Sequence, residues 1–203
     1  MDSLLQEAAL TDNPLIEHST ILRLFLAIDL PEAQKQVLHA GCQTLRAYLP
    51  GLRWVTPEHY HLTLRFLGDT SSTGLRSIEA LMEEVAHRSP ALPLQLDQWG
   101  SFPDRRRTRV IWAGVSGEGL ADLVSLANEL MRLFPSHERK PFAPHITLAR
   151  APINPLALPR DWELRHPLSA MPWLAGEIHL MASTLTPTGS RYQILKSAAL
   201  AKT

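Results

Sequence analysis

The sequence has little cysteine, no excess of either charge and no long apolar run. Cys42 is the single cysteine in 203 residues, which excludes an intrachain disulfide and a multi-cysteine zinc site and fits a reducing cytoplasm. Lys and Arg together number 20, as do Asp and Glu. The chain therefore has no net positive charge to attract a long polyanion, and any contact with nucleic acid is expected to be local. No apolar stretch approaches the roughly 20 residues that span a bilayer.

Glycine-rich phosphate-binding motifs are also absent. The chain contains neither Gly-x-Gly-x-x-Gly nor a Gly-Lys-Ser/Thr loop, so neither a dinucleotide-binding fold nor a P-loop is predicted. The first twenty residues carry acidic side chains and no basic n-region, which argues against a secretory signal. We expect residues 1–20 to form an N-terminal extension and residues 21–203 to form one domain.

The hydrophobic periodicity predicts an order of β-α-β-β-α-β-β-α-β-β-β. The strands are expected near 21–30, 53–55, 60–68, 92–99, 108–115, 142–150, 176–185 and 191–195, and the helices near 37–49, 75–85 and 120–134. A proline-rich connector is expected over residues 152–167. Because hairpin-like pairs of strands are common in this order, it favours an α+β fold with antiparallel sheets over a doubly wound parallel sheet.

One tetrapeptide occurs twice in β-prone, apolar surroundings. His61-Leu62-Thr63-Leu64 is followed 84 residues later by His145-Ile146-Thr147-Leu148. Side chains alternate along a strand, so the His and Thr of each copy share one face while the aliphatic residues face the core. The repeat predicts two related halves that face one site with two imidazoles and two hydroxyls.

Such a site suits the cleavage of a phosphodiester. A neutral histidine can take a proton from water while a protonated histidine gives one to the leaving oxygen. Threonine hydroxyls can donate hydrogen bonds to non-bridging phosphoryl oxygens. This chemistry requires no metal and no cofactor, and a strained cyclic phosphodiester is the natural substrate for it.

Two alternatives compete with this interpretation of the histidines. A lone histidine in a strand is often structural, but the second copy with threonine at the same offset argues against that here. His59 and His61 have the spacing of a metal chelate, although Glu58 is the only nearby carboxylate or thiol in ligand spacing. The remaining histidines have no matching hydroxyl and are interpreted as surface or structural residues: His18, His39, His87, His137, His166 and His179.

The chain resembles the two-histidine phosphoesterases, specifically the bacterial RNA 2′,3′-cyclic phosphodiesterases, also called 2′-5′ RNA ligase-like proteins. The resemblance covers most of the chain after residue 20. It rests on the segments at 23–28, 53–55, 61–68, 100–103, 109–115, 141–150 and 183–192. It implies a bilobal fold with pseudo-twofold symmetry, a central groove and metal-independent hydrolysis of a terminal RNA cyclic phosphate to a 2′-phosphate.

The resemblance also implies roles for individual residues. His61 would be the proton donor to the departing O3′ and His145 the proton acceptor that activates water, although the symmetry of the motifs leaves these two roles interchangeable. Thr63 and Thr147 match phosphate-binding threonines. Arg150 matches an arginine that clamps the phosphate, yet strict alternation places it on the face opposite His145 unless the strand ends or bulges near Ala149.

Further candidates for RNA contact are an aromatic residue and an arginine cluster. Phe66 occupies the same offset in the first motif as Arg150 in the second, and it is either a platform for the terminal base or a core residue. The cluster is expected either at a solvated hairpin tip or against the RNA backbone; it consists of Arg105, Arg106, Arg107 and Arg109.

Three functions remain open from the sequence. The first is hydrolysis of RNA 2′,3′-cyclic phosphate ends by a cytoplasmic monomer that binds RNA or a small cyclic nucleotide and no membrane. The second is the joining of RNA ends through a 2′-5′ linkage, which uses the same site by microscopic reversibility. The third is a non-catalytic module that binds RNA ends or nucleotides, against which the two complete motifs argue.

Overall fold

The computed structural model describes residues 20–135, 141–165, 167–186 and 189–202. Its helices are α1 (Glu32–Tyr48), α2 (Leu75–Arg88), α3 (Leu120–Leu133) and α4 (Trp162–Arg165). Its strands are β1 (Ile21–Asp29), β2 (Arg53–Trp54), β3 (His61–Ser71), β4 (Leu92–Phe102), β5 (Val110–Ser116), β6 (His145–Arg150), β7 (Pro172–Ala175), β8 (Glu177–Thr186) and β9 (Gly189–Ala199). The predicted extension over residues 1–20 lies outside the described residues except for Thr20.

The described strands form one antiparallel sheet in the order β7-β4-β5-β6-β3-β1-β8-β9, with β2 beside β6. The order is symmetric about its middle, with four strands on each side of the boundary between β6 and β3. In the described part of the chain these two strands pair at one position, Leu62 with Ile146. The predicted α+β fold of two related antiparallel halves is confirmed, and the two repeated motifs lie at its centre.

One apolar core underlies both halves of the sheet. Leu62 and Leu64 of β3 and Ile146 and Leu148 of β6 are almost fully buried. They share a cluster with buried residues of the three longer helices, including Leu38, Leu45, Met82, Val85, Leu123 and Leu130. Because neighbouring side chains of a strand point to opposite faces, burial of these aliphatic residues directs the histidines and threonines of both motifs to the other face.

The ends of α1 follow from local chemistry. The helix begins directly after Pro31, whose φ of −59° already suits a helical turn, and Glu32 places an acidic side chain in the first turn. It ends at Tyr48, one residue before Leu49, which Pro50 follows. Gly51 then has a φ of +87°, a conformation that glycine adopts without steric cost. This turn returns the chain to β2, beside the second motif strand.

The structure corrects the predicted elements in three places. The helix α4 lies within the predicted proline-rich connector over residues 152–167. The strand β7 was not predicted; it is a short strand at the sheet edge that begins with Pro172, where the missing backbone N–H is tolerated. The predicted strand over residues 142–150 begins instead at His145, because Pro144 precedes it and residues 141–144 carry no regular structure. No helix in the described ranges is long and apolar enough to cross a membrane.

Candidate active site

The first residue of each central strand is a motif histidine. His61 begins β3 and His145 begins β6. When the antiparallel pairing of Leu62 with Ile146 is continued by one residue on each side, His61 lies opposite Thr147 and Thr63 lies opposite His145. All four side chains are half-buried. The structure therefore brings both motifs together on one face, as the repeat predicts.

The two imidazole rings are held in the same way. Nδ1 of His61 donates to the backbone carbonyl of His59 at 2.8 Å, and Nδ1 of His145 donates to that of Ala143 at 2.6 Å. A carbonyl oxygen can only accept, so Nδ1 carries the proton in both rings. Nε2 is then the nitrogen that gains or loses a proton, and the strand ends set the tautomer required for acid–base catalysis.

Two aromatic rings enclose His61. The ring of Phe25 lies 5.0 Å from the imidazole, and that of Tyr192 lies 5.1 Å away in an edge-on arrangement. Phe25 and Tyr192 also contact each other at 5.3 Å. The sequence-based search for site residues singled out neither, because they reach the site from β1 and β9, although both lie in segments on which the family resemblance rests.

A second aromatic pair flanks His145. Phe102 lies edge-on at 4.9 Å and Trp112 lies at 6.3 Å. The indole of Trp112 covers Gly100, where a Cβ atom would overlap the ring, so glycine is required for this packing. The sequence-based search for site residues also missed this pair. Trp112 on β5 has the same place in the strand order as Phe25 on β1, whereas Phe102 on β4 and Tyr192 on β9 do not occupy equivalent strands.

Burial changes the acid–base properties of His61. Loss of solvation lowers its pKa to about 4, while the hydrogen bond to the His59 carbonyl and the charge of Asp29 act in the opposite direction. The His59 ring and the Arg150 guanidinium also act to lower this pKa, and the value of about 4 results from all of these effects together. His61 is therefore neutral at pH 7 in the unliganded protein, and it needs a nearby negative charge to become a proton donor.

A β-bulge decides the position of Arg150. In the register between β5 and β6, Leu148 is the extra residue between Thr147 and Ala149. A single extra residue reverses the alternation of the side chains that follow it. Arg150 therefore returns to the face that carries His145 and Thr147, which resolves the conflict with strict alternation.

The first motif strand bulges at the equivalent position. In the register between β1 and β3, Leu64 is the extra residue between Thr63 and Arg65. Phe66 consequently shares a face with Thr63 and is 44% exposed. It is not a core residue. Arg65 points inward and its Nε donates to the Phe134 carbonyl at 2.8 Å.

A cavity of about 850 Å³ lies against this face. Its walls combine Thr63 and Leu64 of the first motif and His145 and Thr147 of the second with Arg150 and Phe66, and His61 is not among its lining residues. The described residues that line it include no Asp or Glu: Thr63, Leu64, Arg65, Phe66, Phe102, Pro103, Arg109, Val110, Met131, Pro141, Phe142, Ala143, His145, Thr147 and Arg150. Within the described ranges, neither motif threonine uses its hydroxyl in a hydrogen bond to the protein. Two hydroxyls and a guanidinium are thus available to an anion.

The other histidines lie elsewhere. His59 ends a 3₁₀ turn and packs its ring edge-on against Tyr192 at 5.0 Å. Among the described residues, no three His, Cys, Asp or Glu side chains are grouped closely enough to hold a metal ion. His179 is buried and its Nδ1 lies 2.8 Å from the Ser197 hydroxyl. Of the remaining five, two are described, His39 half-buried and His87 exposed; three lie outside the described residues, His18, His137 and His166.

Comparison with known proteins identifies the family. Residues 28–112 match the model of the LigT-like phosphoesterases. The RNA 2′,3′-cyclic phosphodiesterase of Escherichia coli K12 is 32% identical over 187 residues, which cover 88% of this chain and 96% of that protein. The chain belongs to the LigT-like phosphoesterase family. Its resemblance to the two-histidine phosphoesterases is confirmed.

Two further relatives of this LigT-like phosphoesterase bear on the fold and the site. The RNA 2′,3′-cyclic phosphodiesterase of Geobacillus stearothermophilus is 36% identical over 147 residues, which cover 66% of this chain but only 45% of that protein. The crystal structure of E. coli LigT complexed with 3′-AMP superposes with a TM-score of 0.68 at 30% identity, covering 90% of this chain and 99% of that one. The shared fold thus extends over both halves of the sheet.

Proposed function

We propose that this phosphoesterase hydrolyses the 2′,3′-cyclic phosphate at an RNA end to a 2′-phosphomonoester, using His61 and His145 as an acid–base pair without a metal. The observation that carries the proposal is the opposed arrangement of the two motifs. Each histidine lies across from the threonine of the other motif, and both Nδ1 atoms are fixed by backbone carbonyls. Relatives named RNA 2′,3′-cyclic phosphodiesterase support the substrate class.

The reaction balances with two histidines and one water. Nε2 of neutral His145 takes a proton from water, whose oxygen attacks phosphorus on the side opposite O3′. The bond between phosphorus and O3′ breaks, and protonated His61 gives its proton to O3′. The products are a 2′-phosphomonoester and a free 3′-hydroxyl. Exchange of protons with solvent then returns both histidines to their starting states.

The other polar groups of the face stabilise charge on phosphorus. The hydroxyls of Thr63 and Thr147 donate to the two non-bridging oxygens, where negative charge must be held during the displacement. Arg150 supplies a permanent positive charge, and it lines the same cavity as Thr63 and Thr147. The twofold arrangement of hydroxyls matches the two non-bridging oxygens of one phosphodiester.

Phe66 supplies a surface for the base of the terminal nucleotide. Its ring is partly exposed and lines the same cavity as Thr63, Thr147 and Arg150. The ring of Phe25 supports it from behind at 5.8 Å. An aromatic platform held by a second ring stacks on any base, so tolerance of several terminal bases is expected.

We predict that a bound phosphodiester raises the pKa of His61 from about 4. The bound anion favours the charged imidazolium, which is the form required of a proton donor. The protonated fraction of His61 falls as pH rises through its pKa, so this increase brings the donor form closer to neutral pH. Imidazole ¹⁵N chemical shifts, followed against pH with and without a non-hydrolysable cyclic phosphate analogue, measure the change. A pKa that stays near 4 with the analogue bound contradicts the assignment of His61 as donor.

Product analysis tests the proposed reaction. An oligoribonucleotide with a 2′,3′-cyclic phosphate end is incubated with the protein in excess chelator, and its phosphorus is followed by ³¹P NMR. We expect the cyclic phosphate resonance to be replaced by that of a 2′-phosphomonoester. Loss of activity in the chelator contradicts the metal-free mechanism, a 3′-phosphate contradicts the bond assigned to cleavage, and 2′-5′ joined products support ligation instead.

A further inference from the structure

The cavity beside the motifs extends well beyond the space that a phosphate occupies. At about 850 Å³ it lies in the upper part of the range for small-molecule sites, roughly 300–1,000 Å³. On the outer side of His61 the rings of Phe25 and Tyr192 fill the space, at 5.0 and 5.1 Å from the imidazole. With the scissile phosphate between the motifs, the cavity offers room for the terminal nucleoside.

Arg109 lines this cavity, and two hydrogen bonds hold its backbone. Its N–H donates to the Phe102 carbonyl at 2.7 Å, and its carbonyl accepts from Ala151 N–H at 2.9 Å. Ala113 lies opposite Ile146 at the centre of the site. Arg109 is four residues before Ala113, about 13 Å along an extended strand. Val110, the residue after Arg109, pairs with Arg150, so Arg109 lies beside Arg150 and lines the cavity there.

The charges of the cavity single out Arg109. Three arginines line it, and no described lining residue is acidic, although the whole chain has no net charge. Arg65 is buried with its Nε on a backbone carbonyl, and Arg150 adjoins the motifs. Arg109 is exposed and forms no ion pair with any described residue. It is therefore available to a second anion.

We propose that Arg109 binds the phosphate on the 5′ side of the terminal nucleoside, so that the enzyme selects a cyclic phosphate that ends an RNA chain over a free nucleoside cyclic phosphate. The inference rests on the proposed function and deepens it. A guanidinium matches phosphate in geometry and charge. A contact to the backbone positions the chain without reading its sequence. The neighbouring Arg105, Arg106 and Arg107 do not line the cavity.

Adenosine 2′,3′-cyclic phosphate with and without a 5′-phosphate tests this assignment. We expect the wild type to show a kcat/KM about tenfold higher for the 5′-phosphorylated compound, as for one charge-assisted contact. Arg109→Ala should remove that preference by raising KM for the 5′-phosphorylated substrate much more than for the unphosphorylated one. Arg106→Ala, a control at the same hairpin, should keep the full preference.

Two outcomes overturn the assignment. The first is a wild-type enzyme with equal kcat/KM for the two substrates. The second is a preference for the 5′-phosphorylated substrate that survives in Arg109→Ala, including the case in which only Arg150→Ala removes it. Calorimetry with adenosine 2′-phosphate and adenosine 2′,5′-bisphosphate tests the role of Arg109 independently of catalysis. It therefore distinguishes a wrong assignment of Arg109 from a wrong proposed function. If the wild type binds the bisphosphate more tightly than the monophosphate and Arg109→Ala loses this difference, the site is supported even without turnover. Equal binding of the two compounds by the wild type contradicts it.

Discussion

Replacing His145 with alanine lowers kcat for hydrolysis of an RNA 2′,3′-cyclic phosphate end by about 10²–10⁴-fold, the usual contribution of a general acid or base. The same loss is expected for His61→Ala. Each imidazole is fixed through Nδ1 and leaves Nε2 for proton transfer. Single-turnover rates at saturating substrate measure the effect on the chemical step.

The control for these variants is His87→Ala, a change on the exposed surface of α2. It should retain wild-type activity. Because the two motif histidines pack against aromatic rings, near-UV circular dichroism should show that the variants keep their tertiary structure. A folded His61→Ala or His145→Ala protein with near-normal turnover contradicts the assignment of that residue.

Thr63→Val and Thr147→Val are each expected to lower kcat by about 10²–10³-fold, as does removal of one hydrogen-bond donor from an oxyanion site. Valine keeps the β-branched shape that a strand favours, so the change removes the hydroxyl while keeping the packing. The hydroxyls make no hydrogen bond to described protein groups. Their loss should therefore lower activity with little effect on the melting temperature.

Thr70→Val is the matched control, because Thr70 lies on the same strand and its hydroxyl donates to the Gly68 carbonyl at 3.2 Å, away from the cavity. It should keep its catalytic rate. The pseudosymmetry also predicts similar losses for Thr63→Val and Thr147→Val. If either variant retains wild-type kcat, the hydroxyl concerned does not stabilise charge on phosphorus.

The sequence predicted the centre of the molecule well. Two copies of His-x-Thr-x in apolar surroundings specify strands with the polar residues on one face, since the aliphatic residues at alternate positions must be buried. The helices were also predictable, because buried residues such as Leu123, Leu126 and Leu130 recur at helical spacing. Both signals are local, so they can be recognised without knowledge of the tertiary fold.

The features that complete the site depend on contacts between distant segments. Leu64 and Leu148 become bulge residues only through their partner strands, and Phe66 and Arg150 reach the groove face as a result. Both bulge positions are leucines, and neither carries the glycine that would mark a bulge in the sequence. The lowered pKa of His61 has the same origin, because it results from burial that the assembled fold creates.

A cyclic phosphate in which sulfur replaces O3′ tests the paired histidines most directly. A thiolate leaves without a proton, since thiols have a pKa of about 8.5, whereas an alkoxide is about as basic as hydroxide, water having a pKa of about 15.7. With this substrate we expect His61→Ala to recover to within about tenfold of the wild-type rate, while His145→Ala remains at least about 10²-fold slower. Equal defects of both variants with the oxygen and sulfur substrates would contradict the acid–base pair.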